Sequence, residues 1–360
     1  MRASAPVTEF LVKRDDLRVS RIASSKPPEV APGGALLRVE TFGLTSNNVT
    51  YAVMGEAMSY WEFFPAADVW GRVPMWGFAE VERSEADGVE PGTRVYGYLP
   101  PSSRLLVRPA DADDRGFLDA APHRASLPSA YQRYLSTATD PFYRPDTEET
   151  QMLLRPLFFT SLLIDDQLGD DGLTGRGPVL ISSASSKTAI GAAFLLARRG
   201  VELVGLTSPR SAEFAAGLGI YDRTLTYEDI GSLAPGPATF VDVAGSVEGA
   251  PRGPLPLRRP APRQHGRRAQ PLAGFRRRGP APRPDAGLLL CPRPRRQAVQ
   301  RLGPGRARGA GRRRWHPFCE WAGGWLEVIR GRGFDAVRDA YLEVLEGRVD
   351  PRTAHVLTLA

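Results

Sequence analysis

The sequence predicts an α/β protein: a β-rich N-terminal domain followed by a doubly wound parallel sheet suited to a nucleotide. Three observations carry that expectation. Short alternating runs separated by Pro-Gly turns occupy the first ~110 residues. Strand-like and helix-like runs then alternate between 177 and 245. A serine-rich turn joins the first of those strands to its helix, where a phosphate would sit. With 360 residues, 42% of them hydrophobic, the chain is long enough for two domains with cores of their own.

In chain order, ALLRVETF (35–42) and TRVYGYL (93–99) read as strands. Between them lies an aromatic-rich stretch from Tyr51 to Trp76 that serves either core packing or the wall of a substrate cleft. A helical period begins at Glu149 with ETQMLLRPLFFTSLLIDDQL. GPVLIS (177–182) then suits a buried parallel strand. The helix TAIGAAFLLARR (188–199) stops at Gly200, a residue suited to the position after a helix end. VELVGLT (201–207), a short helix over 211–219, RTLTY (223–227) and ATFVDVAG (238–245) complete the alternation. From His316 an amphipathic helical region runs to Gly347, and a strand-like AHVLTL closes the chain.

The net charge of +7 invites a nucleic-acid reading until it is located. Residues 251–315 hold 19 Arg, no Lys and one acid, Asp285, so that segment contributes +18 while the rest of the chain is acidic. Twelve prolines there leave no period of 2 or 3.6. Two readings compete: an out-of-frame translation of a GC-rich coding region, or a disordered basic arm that binds nucleic acid. The first is preferred. The edges are abrupt, the dominant residues have GC-rich codons, and a doubly wound sheet needs its fifth and sixth strands here. Losing them also predicts impaired folding of the chain as written.

Two cysteines, Cys291 and Cys319, exclude a disulfide framework and fit a reducing cytoplasm. Neither a signal-peptide core nor a membrane-length apolar run is present in the sequence. His123, His265, His316 and His355 are scattered without zinc-motif spacing, so catalytic zinc is not expected. No G-x-S-x-G elbow supports a hydrolase triad. Asp165-Asp166 reads as a solvated helix end, and His316 and Tyr341 as packing residues.

The turn SSASSKTAIG (182–191) offers small residues that let backbone approach a pyrophosphate, although it lacks G-x-G-x-x-G. The alternative is a serine-rich cap on a core helix. A P-loop is excluded, because Ile181 and Ser186 stand at its two glycine positions. Lys187 lies either near cofactor phosphates or exposed on the first helical turn. At the end of the second strand there is no acid until Glu213 for a ribose 2′-hydroxyl, whereas Arg210 suits a 2′-phosphate. That favours NADP(H), with a lone surface arginine as the alternative.

The run VLISSASSKTAIGAAFLLARRGVELVGLTSPRSAEFAAGLGIYDRTLTY resembles the nucleotide-binding segment of zinc-free quinone reductases of the medium-chain dehydrogenase/reductase superfamily. TFVDVAGS resembles their fourth strand, and LLRVETFGLTSNNVTYAVMG the segment that reaches the nicotinamide. More closely, YWEFFPA, WGRVPMWGFAEV, VYGYLP, RPLFFTSLLIDD and WHPFCEWAGGWLEV resemble an offshoot of that superfamily, the domain of unknown function 2855. The likeness spans 1–249 and 315–360 and omits the Arg/Pro segment. It implies a GroES-like barrel over 1–150, to which 351–360 return, and a Rossmann-type domain over 151–250 and 316–350.

The resemblance places Ser185, Ser186, Thr188, Ala189 and Gly191 at the phosphate loop and Ser208 and Arg210 beside the ribose. Thr45, Asn48 and Tyr51 fall where related reductases hold polar groups near nicotinamide and substrate; turn capping by Asn48 and core packing by Tyr51 are the alternatives. The implied chemistry is metal-free, NADPH-dependent reduction of a small carbonyl, enone or quinone in a cleft between the domains. Tyr51 would donate a proton or orient substrate, with Tyr60, Trp61 and Trp76 lining the pocket. Intact relatives would be homodimers, with the usual dimer edge falling in the Arg/Pro segment. A non-catalytic NADP(H)-binding protein is the second expectation, because no strong acid or base stands out. Nucleic-acid binding would rest on 251–315 alone.

Overall fold

The computed structural model describes residues 6–170, 172, 177–234, 236–243 and 311–359. Residues 251–310 of the Arg/Pro segment, and with them the expected fifth and sixth strands, lie outside the described residues. The described chain forms two compact units, residues 6–162 with 311–359, and residues 163–243.

The first unit is antiparallel and β-rich. Strands β1 (Val7–Lys13), β2 (Asp16–Ser25) and β3 (Ala35–Leu44) lead into helix α1 (Ser46–Val53). After β4 (Trp70–Gly71), β5 (Met75–Ser84), β6 (Arg94–Leu99), β7 (Arg104–Val107), β8 (Pro109–Asp113), β9 (Gly116–Asp119) and β10 (Arg133–Ser136) comes helix α2 (Glu148–Asp170). Among the described residues β2, β1 and β4 form one sheet, and nine strands form another in the order β15-β16-β3-β5-β6-β10-β9-β8, with β7 also on β3. Here β15 is Glu327–Arg332 and β16 is Thr353–Thr358. Alternation does the work in β5, where Met75, Gly77, Ala79 and Val81 are buried and the residues between them are on the whole less so.

The region from His316, expected to be helical to Gly347, is divided. Residues 311–322 form helix α5, Glu327–Arg332 form β15, and α6 spans Gly333–Leu345. The division has local causes. Gly323-Gly324 interrupts the helix, Val328 and Ile329 favour strand, and Gly333 takes φ +80° at the turn into α6. β15 pairs in parallel with β16, and Val337, Tyr341 and Val344 of α6 join the core of the β-rich sheets. Residues 327–345 therefore sit with the β-rich unit, whereas the sequence reading grouped 316–350 with the nucleotide-binding domain. β16 pairs antiparallel with β3.

Helix α5 also starts inside the segment assigned to the Arg/Pro run, which was bounded at 315. Gly311, Trp315, Phe318, Cys319 and Ala322 are buried at helical spacing. The Trp315 indole donates to the Phe142 carbonyl at 3.0 Å and packs on Phe158.

The second unit is a four-stranded sheet in the order β13-β12-β11-β14, parallel throughout. Its strands are β11 (Val179–Ile181), β12 (Leu203–Thr207), β13 (Arg223–Thr226) and β14 (Thr239–Val241). Helices α3 (Lys187–Ala197) and α4 (Pro209–Gly217) make the first two crossovers. A core of Ile164, Leu168, Val179, Ile181, Ala192, Leu196, Leu203 and Val241 covers one face. Asp165 is not at a solvated helix end as expected: it is 1% exposed and receives both the Nε and an Nη of Arg199, at 2.5 and 2.8 Å. Among the described residues no helix is long and apolar enough to cross a membrane.

Candidate functional site

In the second unit, the first strand in sequence, β11, lies in the middle of the sheet, between β12 and β14. The strand order reverses at β11, and in parallel sheets of this kind the carboxyl ends of the strands at the reversal are where ligands bind. Ser182 follows β11 directly, and its hydroxyl donates to Asp242 Oδ1 at 2.8 Å while accepting from the Val243 N–H at 2.8 Å. These two bonds tie the end of β11 to the end of β14.

The turn 182–186 is pinned by side chains from distant strands. Ser183 takes a left-handed φ of +50° and donates its N–H to the Tyr227 hydroxyl at 2.8 Å. The Tyr221 hydroxyl donates to the Ala184 carbonyl at 2.9 Å, and burial pushes its pKa above the ordinary tyrosine range, so it remains a donor. Gly205 makes room for that tyrosine, since a Cβ there would stand 3.0 Å from its ring. Ser185 Oγ lies 3.4 Å from Thr207 Oγ1.

Ser186 caps α3: its backbone is extended and its Oγ accepts the Ala189 N–H at 3.3 Å. Lys187 and Thr188 form the half-buried first turn, while Ala189 and Gly191 are buried. The arrangement presents a helix N-terminus behind a turn of small residues, which attracts an anion through the helix dipole and backbone N–H groups. Ser208 precedes α4 with its hydroxyl outside any capping bond, and Pro209 and Arg210 open that helix on an exposed surface. The residues expected at the phosphate loop and those expected beside the ribose therefore both border the carboxyl edge of the sheet. Tyr221, Tyr227 and Asp242 were missed by sequence reasoning, because their roles follow from strand order rather than spacing.

In the β-rich unit, Thr45 and Asn48 make the capping box of α1. Thr45 donates its N–H to Asn48 Oδ1 at 2.8 Å, and Thr45 Oγ1 accepts the Asn47 N–H at 3.3 Å. Asn48 also donates to the Pro74 carbonyl at 2.9 Å and is 4% exposed. Its polar atoms thus serve the turn. Tyr51, one turn further, accepts the Trp76 indole N–H at 3.3 Å. It packs against Tyr60 at 4.7 Å and Tyr98 at 5.5 Å between ring centroids, within a cluster that adds Phe63, Phe64, Trp76 and Tyr131. Trp61, expected in the same lining, belongs instead to the main core, where its ring lies so close to Gly55 that a Cβ there would overlap it.

Among the described residues no group of three or more His, Cys, Asp or Glu could hold a metal. Cys319 is buried, and desolvation pushes its thiol pKa above the ordinary range.

The chain thus combines an antiparallel β-rich unit with a parallel sheet of order β13-β12-β11-β14. The chain belongs to the family described as Protein of unknown function (DUF2855), whose profile matches residues 42–252. Among solved structures it is similar to CurA from Vibrio vulnificus, with 15% identity, 98% and 99% of the two chains covered and a TM-score of 0.54. A putative NADPH:quinone reductase from Bacillus thuringiensis matches with 12% identity, coverage of 99% and 100%, and a TM-score of 0.55. TarJ from S. aureus, solved in complex with NADPH, matches with 8% identity, coverage of 99% and 100%, and a TM-score of 0.52. At these identities the likeness is one of fold. No curated protein matches the chain.

Proposed function

We propose that the protein is a cytoplasmic NADP(H)-dependent reductase of a small carbonyl, enone or quinone, of the zinc-free type. The observation that carries this reading is the small-residue turn 182–186, set between β11 and β14 and running into α3, with no acid at the end of β12. The residues fit the cofactor: Ser185, Ser186, Lys187, Thr188, Ala189 and Gly191 would hold the pyrophosphate, and Ser208 and Arg210 the adenosine 2′-phosphate. When bound, NADPH supplies a hydride to the substrate. The chain's part is orientation, with Tyr51 the polar group of the aromatic cluster offered as proton donor. The names of the similar structures, NADPH:quinone reductase among them, support the same class.

The test is a fluorescence titration of the full chain with NADPH and with NADH, followed by a screen of quinones and enals as acceptors. Tighter binding of NADPH than NADH, with oxidation by at least one acceptor, is expected. Failure to bind NADPH, or a preference for NADH, overturns the assignment. A second reading is an NADP(H)-binding protein without turnover, favoured by the engagement of Thr45 and Asn48 in capping α1. Binding without oxidation by any acceptor would select it.

A further inference from the structure

Most peptide groups of the turn 182–186 are already committed. The N–H of Ser182 goes to the Val241 carbonyl at 3.0 Å, that of Ser183 to the Tyr227 hydroxyl at 2.8 Å, that of Ala184 to the Leu206 carbonyl at 3.0 Å and that of Ser186 to the Ser183 carbonyl at 2.7 Å. Among the described residues only the Ser185 N–H of this turn is left without an acceptor. It shares a peptide unit with the Ala184 carbonyl. In a planar trans peptide the C=O and N–H point in opposite directions, so the group that fixes one also aims the other. The Tyr221 hydroxyl fixes this one, donating to the Ala184 oxygen at 2.9 Å.

The place of that tyrosine is built into the sheet. Its ring packs on the core of the parallel-sheet unit, and Ala184 is fully buried. On β12, a Cβ at Gly205 would stand 2.9 Å from the Ala184 methyl and 3.0 Å from the Tyr221 ring, so glycine there makes room for both. A hydrogen bond accepted by a peptide carbonyl also polarises the unit and strengthens its N–H as a donor.

We propose that Tyr221 is a positioning residue for the cofactor pyrophosphate: it holds the peptide between Ala184 and Ser185 so that the Ser185 N–H faces away from the packed ring and donates to the phosphate. The assignment rests on the NADP(H) reading and adds the side chain that orients the turn. Its role is distinct from that of Tyr227, which receives an N–H and so withdraws that amide from the anion.

The experiment compares two ligands on the full chain. NADPH is titrated by fluorescence, and adenosine 2′-monophosphate, which lacks the pyrophosphate, is measured by its displacement of NADPH. Tyr221→Phe keeps the ring and removes the hydroxyl. NADPH should then bind roughly five- to tenfold more weakly, the worth of one oriented hydrogen bond to a charged group, while the constant for adenosine 2′-monophosphate stays within about twofold. Gly205→Ala, which displaces the same ring, should give the same split; if it does not fold, Tyr221→Phe decides alone. Unchanged NADPH affinity in Tyr221→Phe overturns the role. Equal weakening of both ligands overturns it too, because a general loosening of the unit would do that. The two readings fail separately: a wild type that binds no NADPH removes the cofactor reading and the role with it, whereas a wild type that binds NADPH without the split removes the role of Tyr221 alone.

Discussion

Among the described residues the β-rich unit buries two arginine–aspartate pairs, and they are built differently. Arg155 and Asp140, 5% and 3% exposed, meet through two bonds at 2.5 and 3.2 Å, and the guanidinium lies 4.7 Å from the Tyr96 ring and 5.0 Å from that of Phe142. Arg124 and Asp119, each 1% exposed, share a single 3.2 Å contact, and Arg124 also bonds the Tyr134 hydroxyl. The first pair is closed on itself, as a structural ion pair must be to offset its desolvation. The second meets through one contact and leans on neighbouring donors instead: Asp119 also accepts the Arg108 and Ala121 N–H groups.

Breaking the closed pair gives the largest effect. Arg155→Met should cost about 3–5 kcal/mol, because Asp140 would stay buried and uncompensated. Arg124→Met should cost less, about 1–3 kcal/mol, since Asp119 keeps two backbone donors. Urea unfolding of both variants measures the difference, and equal losses would erase the contrast.

An exposed arginine in the parallel-sheet unit extends the series. Arg210 opens α4 on the surface, so Arg210→Ala should leave stability within about 0.5 kcal/mol of wild type. Its effect should appear in binding: roughly tenfold weaker NADPH with NADH unchanged, the loss of one charge-assisted contact to phosphate. Parallel titrations of the two cofactors check it, and equal weakening of both would place Arg210 away from the 2′-phosphate. Next in size is Ser186→Ala, expected to destabilise by about 1 kcal/mol through loss of the α3 cap. Thermal unfolding reads that loss, and an unchanged midpoint would mean the cap contributes nothing.

How much of this could be read from the sequence follows from the same contrast. The parallel sheet and its loop depend on local grammar: apolar runs for β11 and β12, helical spacing in α3, and small residues in the turn 182–186. Such features stand together in the chain and were legible. The β15 strand was not, because a short run between two helices owes its state to pairing with β16, which lies beyond α6. Nor was the role of Arg124. Nothing in APHRAS marks an arginine whose partners arrive from β9 and from the rings at 63 and 64. Asp165 reads as a surface acid until Arg199, 34 residues on, is placed against it. Satisfaction of buried polar groups is a property of distant pairs, and periodicity carries no record of it.

A fourth pair, partly open to solvent, gives the smallest effect and a sign that can be checked. Arg94 of β6 binds Glu40 at 2.7 Å through Nε and Glu148 through its Nη atoms, and Tyr143 donates to Glu148 at 2.5 Å. Burial pushes the Glu148 pKa up, but the hydrogen bonds from Arg94 and Tyr143 outweigh it and hold the carboxyl below its ordinary value. A carboxyl with a folded pKa below the unfolded one, about 4.3, stabilises fully above that value and loses its contribution as pH falls through the folded pKa. Stability from this group should therefore be flat between pH 5 and 7 and should decline below about pH 4. Glu148→Gln removes the titrating group, so wild type should lose more stability than the variant on moving from neutral to acidic buffer. Solvent exposure and salt screening keep the gap smaller than the loss of the Ser186 cap. Parallel denaturant melts of the two proteins across that pH range measure it, and identical curves would mean that the Arg94 network is an exposed pair of no energetic consequence.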